Sequence, residues 1–296
     1  MFGRKVIVGV VQIPVVFILF AAQDLTGDRI ALLRRYHEGE KLTYRMKGSN
    51  ESWHYEIQAD GVVKKDTAGN YFEEYGWSNL VSDNQKVAVS PASLGFRQQV
   101  SLDPSRNPAI PNLSQVDTRL IGPITDFMTF YADLWLAEKT GQLTHAGDHF
   151  LFKHGRPNSW ADGTYVLIGE DALDFDFTLK EVKHSENTAT LLIRHVSPQN
   201  PEIKLPAEWM RKPVADTANN WVQVQKTDKG KYLAAVGKET FEVEIKIVLS
   251  DGKILSGHIE NAVETIERQC ADSGGTNCGD SKPHSIRRQI SLELEP

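Results

Sequence analysis

The feature that most constrains this chain is a period-two alternation of apolar and polar residues, broken at intervals by turn-forming clusters. From Phe241 to Leu249 the apolar residues Val243, Ile245 and Ile247 lie on one side of the run, and Ser250-Asp251-Gly252 leads back into Lys253-Ile254-Leu255. Such a pattern specifies two half-buried strands joined by a hairpin turn. Leu173, Phe175, Phe177 and Leu179 alternate in the same way against Asp174, Asp176 and Thr178. Phe96, Val100 and Leu102 do so less cleanly, because Gln98 interrupts the apolar side. Ala59-Asp60-Gly61, Ser185-Glu186-Asn187 and Asp228-Lys229-Gly230 mark three further candidate hairpin turns. Consecutive hairpins imply an antiparallel sheet, since parallel strands require long crossovers.

Helical patterning is scarce. Asp126 to Lys139 places Phe127, Tyr131, Leu134 and Trp135 on one face, with Thr125 as the expected cap and Gly141 as the stop. A shorter helix is expected from Arg29 to Tyr36. The Pro- and Asn-rich stretch from Asp103 to Asn112, and Pro198 to Asn220 with three further prolines, read as irregular. The expected fold is therefore mainly β: a curved antiparallel sheet, half-barrel or sandwich with one main helix packed on it. Residues 23–296 read as one β-rich domain, with two half-sheets joined near 103–140 as the variant arrangement.

The N-terminus carries Arg4 and Lys5, then an apolar run of 17 residues from Val6 to Ala22 that is interrupted by Gln12 and Pro14. A spanning helix needs about 20 apolar residues. This run therefore reads as a cleaved signal peptide over residues 1–22, with cleavage after Ala21-Ala22 and no membrane span afterwards. A retained N-terminal membrane anchor is the alternative. Export to the periplasm or the exterior is the expectation, and no cysteine follows the run to carry a lipid. The only two cysteines, Cys270 and Cys278, stand close together, as a local disulfide would in an oxidising compartment.

The whole chain has 33 Lys and Arg against 39 Asp and Glu, a net charge of −6, which becomes −8 without the first 22 residues. With no basic stripe, nucleic acid is excluded as a partner. No Gly-x-Ser-x-Gly elbow, His-Glu-x-x-His pair, phosphate loop or dinucleotide fingerprint is present, so no cofactor and no metal are expected. Asp66-Thr67-Ala68, Asp216-Thr217-Ala218 and Asp272-Ser273-Gly274 echo aspartic-protease triplets but read as turn residues.

The densest polar stretch holds His145, Asp148, His149, His154, Arg156, Trp160 and Asp162. Imidazole beside carboxylate can serve as acid and base, which makes Asp148, His149 and Asp162 the candidate catalytic residues. On one straight strand His149 and His154 would face opposite sides, so a shared site needs a bend at Gly155 or a bulge. Trp160-Ala161-Asp162-Gly163 reads as a turn with a packed indole, or as a sugar-stacking platform. Glu170, Asp171, Asp174 and Asp176 read as solvated carboxylates rather than a calcium loop. His195 ends an apolar strand and reads as a core histidine. Trp209 and Trp221 flank the proline-rich loop, where they pin it or line a ligand mouth; with Trp160 they are the candidate ligand-binding residues.

Leu120-Ile121-Gly122-Pro123-Ile124-Thr125-Asp126-Phe127, Ser159-Trp160-Ala161-Asp162-Gly163 and Asn219-Asn220-Trp221-Val222 resemble segments of a group of exported bacterial β-rich proteins. That resemblance implies export and fold, not chemistry. Strand meanders around a helix also resemble the half-barrels that carry lipoproteins across the periplasm, which implies a concave apolar face. The functional expectation is a non-enzymatic binding or interaction protein of the envelope or exterior, whose partner is a small apolar ligand or an envelope protein. A hydrolase acting on glycan or peptide through carboxylates near Asp148, Asp162 and Asp174 is the rival, and a structural surface protein the third reading.

Overall fold

In the computed structural model, residues 29–106, 108, 111–113, 115–160 and 165–296 are described. The Val6 to Ala22 run and Asp162 lie outside these residues. The strands are β1 (Lys41–Ser49), β2 (His54–Lys65), β3 (Tyr71–Ser82), β4 (Gln85–Lys86), β5 (Gln98–Val100), β6 (His149–Phe152), β7 (Asn158–Ser159), β8 (Val166–Asp171), β9 (Asp174–Lys183), β10 (Thr188–Val196), β11 (Trp221–Lys226), β12 (Tyr232–Val248), β13 (Ile254–Cys270) and β14 (Lys282–Leu294). Among the described residues two α-helices join them, α1 (Pro91–Gly95) and α2 (Thr118–Thr140).

All fourteen strands form one antiparallel sheet in the order β4-β3-β2-β1-β14-β13-β12-β10-β9-β6. The sheet is open and does not close into a barrel. It forks at β12, one half of which pairs β10 while the other pairs β11, which continues to β8 and β7. The expected mainly β fold with one main helix on a curved sheet is what the chain adopts.

Helix α2 lies against the inner face of this sheet. Ile124, Phe127, Phe130 and Leu134 are fully buried in the same core as Leu42, Tyr44, Ile57, Leu191, Val243, Ile259 and Ile290, which come from six strands. Phe127 is the hub: the rings of Tyr44, Tyr75, Trp77 and Tyr131 lie 5.8, 4.8, 5.4 and 4.9 Å from it. Burial of each such side chain contributes about 1.5–3 kcal/mol. Gly257 lets the helix come this close, since a Cβ there would sit 2.4 Å from the Phe130 ring. No described helix is long and apolar enough to cross a membrane.

Several local expectations are corrected. The main helix starts at Thr118 and is capped by the Asp117 side chain, not by Thr125, because Pro123 is accommodated inside the helix. Residues from Arg29 to Tyr36 are extended rather than helical: Ile30 and Leu32 alternate into the core, and Ile30 N–H donates to the Thr144 carbonyl at 2.8 Å. Ala59-Asp60-Gly61 is not a turn but the middle of β2. Gly61 is there because the Tyr75 ring lies over it, where a Cβ would stand 2.2 Å from that ring. The turns at Ser185-Glu186-Asn187, Asp228-Lys229-Gly230 and Ser250-Asp251-Gly252 do join β9 to β10, β11 to β12 and β12 to β13. Cys270 and Cys278 form a disulfide.

Candidate functional site: an uncovered groove on the inner sheet face

Strands β12 and β13 are each 17 residues long, and they are covered on opposite faces at their two ends. Toward the β12–β13 turn, the odd-numbered Val243, Ile245 and Ile247 pack in the α2 core. Toward the other end, the even-numbered Ala234 and Val236 join Val222, Val224, Ala207 and Met210 in a second, smaller core on the outer face. Side chains alternate between faces along a strand. The odd-numbered residues of that second half therefore face inward where α2 does not reach. They line an open groove of about 480 Å³ with Trp160, Trp221, Gln223, Thr265 and Arg288.

Asn220 holds the fork of the sheet open above this groove. Strand β11 pairs β12 as far as Gly237, and β10 takes over from Phe241, so Glu239 between them has no strand partner on that side. The fully buried Asn220 side chain fills the gap: its Oδ1 accepts from Glu239 N–H at 2.8 Å and its Nδ2 donates to the Glu239 carbonyl at 3.0 Å. Neighbouring Asn219 turns the other way and ties the 198–220 loop through Met210, Lys212 and Val214.

The groove floor mixes polar and apolar side chains, with Glu239, Asn261 and Thr265 among Leu233, Ala235, Phe241 and Val263. Asn261 is buried, and its Nδ2 donates to Glu239 Oε1 at 3.1 Å and to the Thr240 carbonyl at 3.2 Å. Because a carbonyl only accepts, the second bond fixes which end of the amide is which. It leaves Asn261 Oδ1 buried with no partner among the described residues. Arg288 is paired with Asp126 of α2, to which Tyr55 also donates at 3.2 Å. Asp133 and His195, both buried, are 2.8 Å apart below the groove. Burial pushes the Glu239 carboxyl up to about 7, and the negative charge of Asp171 adds to the rise. Burial likewise raises Asp171. Two carboxyls thus share the groove, each raised above its ordinary range by burial.

The wall carries two indoles. Trp160 lies against Gly169, where a Cβ would meet its ring at 2.6 Å, and its centroid is 6.2 Å from that of Trp221 with the planes 34° apart. Trp221 faces the same side as Asp171 and Gly237, its register partners in β8 and β12. Of the expected ligand-binding residues, Trp160 and Trp221 therefore come together. Trp209 does not join them. It packs against the outer-face core, where its indole N–H donates to the Gly275 carbonyl at 2.8 Å and Arg268 covers its ring.

The expected catalytic residues are scattered. Asp148 caps a turn, accepting from the backbone of Thr144 and His145, which holds it below the usual carboxylate range. His149 pairs with Asp176 on an exposed surface. Asp174 accepts from His154 N–H at 3.1 Å, and the chain does bend at Gly155, with φ of +76°. Glu170 turns to Lys204, with Nζ at 2.7 Å. Among the described residues no group of three or more His, Cys, Asp or Glu side chains could hold a metal ion. Asp66 and Asp272 accept backbone N–H bonds in their own turns.

Glu239 and Asn261 carry the site and were missing from the sequence expectations. The signal for Glu239 was present: extending the inward parity of Val243 and Phe241 by one step brings a carboxylate to the inner face. No such signal marks Asn261, whose place depends on long-range register. Set against known protein families, curated proteins and solved structures, the chain matches none.

Proposed function

We propose that this chain is an exported binding protein of the cell envelope or exterior, and that its ligand occupies the groove between Trp160, Trp221 and Asn261. The observation that carries this reading is the uncovered inner face of β12 and β13, where a buried acceptor beside two indoles has no partner among the described residues. Buried polar atoms are normally paired, so an unpaired one just beneath the floor of an open cleft favours a ligand that donates to it on binding. The apolar part of the concave face is filled by α2, so the ligand meets the amphipathic part instead. Native mass spectrometry of the protein purified from its own envelope tests the reading. A bound small molecule that is lost in Trp221→Ala supports it. Protein that arrives empty, or a bound molecule indifferent to Trp221, contradicts it.

A hydrolase acting on the same ligand is the second reading, favoured by one observation. Glu239, held near neutrality beside Asp171, has the character of a general acid paired with a second carboxyl. Loss of turnover in Glu239→Gln well beyond any loss of ligand affinity would support it.

A further inference from the structure

We infer that the groove takes a neutral saccharide chain, its sugar faces stacked on Trp160 and Trp221 and its hydroxyls paired with Asn261, Gln223 and Glu239. This rests on the groove being the ligand site. The identity of the ligand follows from what the groove offers and from what it withholds. Among the described residues an anion finds no free cation in the groove, because Arg288, the basic side chain lining it, is already paired with Asp126. An acyl chain finds Glu239, Asn261 and Thr265 set among Leu233, Phe241 and Val263, a mixed lining in which its methylenes would cover polar groups without pairing them. An ammonium ion would be held by aromatic rings that enclose it. The two indoles here are tilted by only 34° and form a slanted platform along one wall.

Sugar hydroxyls both donate and accept, and the groove matches that double character. Asn261 Oδ1 needs a donor. Gln223 Nε2 reaches Gln225 Oε1 only at 3.5 Å, a weak bond that a ligand hydroxyl could replace. Glu239, accepting from Asn261 through Oε1, has a second oxygen to present. The apolar face of a pyranose ring, bearing axial C–H groups, complements an indole face while its equatorial hydroxyls reach the polar groups of the floor. Trp160 contributes a ring held by its seat against Gly169, so little side-chain freedom is lost on stacking.

The test is calorimetric titration of the purified full chain at pH 7 with cellohexaose, maltohexaose, xylohexaose and chitohexaose, and with spermidine and palmitate as probes of the excluded classes. At least one hexasaccharide is expected to bind with a Kd tighter than about 1 mM. Trp221→Ala and Asn261→Leu should each weaken it about tenfold or more, whereas Trp221→Phe, which keeps an aromatic face, should retain most of it. Trp209→Phe, on the other side of the sheet, should leave it unchanged. Near-ultraviolet circular dichroism verifies that each variant keeps its packing. If no hexasaccharide binds, the saccharide assignment fails. Should spermidine or palmitate bind instead, with loss in Trp221→Ala, the groove stands as the ligand site and only the assignment is overturned. Hexasaccharide binding indifferent to both Trp221→Ala and Asn261→Leu overturns the groove as well.

Discussion

Replacing Glu239 by glutamine should stabilise the protein, and only at neutral to alkaline pH. Glu239 is 7% exposed and its carboxyl titrates near 7 in the fold, against 4.5 ordinarily. Below about pH 4.5 both folded and unfolded chains hold the proton, and the carboxyl costs nothing. Between about 4.5 and 7 the unfolded chain ionises while the folded one keeps its proton, so the native state binds more protons and stability falls as pH rises. Above 7 the folded carboxylate is charged in a buried place. The cost is then constant at about 3 kcal/mol, taking 1.36 kcal/mol for each pH unit between the two values. Glutamine is close in shape and its Oε1 can still accept from Asn261 Nδ2, so the variant keeps the bond and loses the charge. Urea unfolding of both proteins from pH 4 to pH 8, followed by tryptophan fluorescence, measures the difference. The stabilities should coincide at pH 4 and diverge to about 3 kcal/mol in favour of Glu239→Gln by pH 8. A difference that is independent of pH, or of opposite sign, would refute the reasoning.

Other parts of the fold carry equally definite expectations. Arg34, buried with Glu73, bonds it at 2.9 Å, while Tyr75 and Tyr131 donate to the other Glu73 oxygen at 2.8 and 2.6 Å; Arg34→Met should cost about 3–5 kcal/mol in chemical denaturation, with much of the loss recovered when Glu73→Gln is added. Gly257→Ala would push a methyl into the Phe130 ring and should lower stability by about 1–3 kcal/mol, a loss that Phe130→Leu in the same chain should lessen. Reduction of Cys270–Cys278 should cost about 2.5 kcal/mol by loop entropy, with hydrogen exchange rising first around Gly275 inside that loop and Met210, which packs against it.

Much of the fold was legible because its information is local. Alternating β-strands, the Gly252 and Asn187 turns and the aromatic face of α2 all follow from a few adjacent residues. The failures have physical causes. Ala59-Asp60-Gly61 has turn chemistry, yet Gly61 exists to admit Tyr75 from the next strand, a cross-strand fact that no short window contains. Arg29 to Tyr36 has helical composition, but its Ile30 and Leu32 are drawn into the α2 core as an extended segment. Pro123 hid the first turns of α2, since a proline within a helix usually marks a boundary. At the site, Trp160 and Trp221 stood out as aromatic residues in polar surroundings. Their companions did not: Trp160 is brought to Asn261 through the register of five strands, and Asn220 works by mending a fork that exists only in the assembled sheet. The polar stretch from His145 to Asp162 is conspicuous by density alone, and its first residues, His145 to Asp148, build a turn.

The most direct test of the account uses the side-chain indole resonances of the six tryptophans. In two-dimensional nitrogen–proton spectra, titration with the hexasaccharide that binds should shift the indole signals of Trp160 and Trp221, and leave those of Trp53, Trp77, Trp135 and Trp209 in place. Shifts confined to those four, or no indole shift at a saturating concentration, would contradict the groove as the place where this protein meets its ligand.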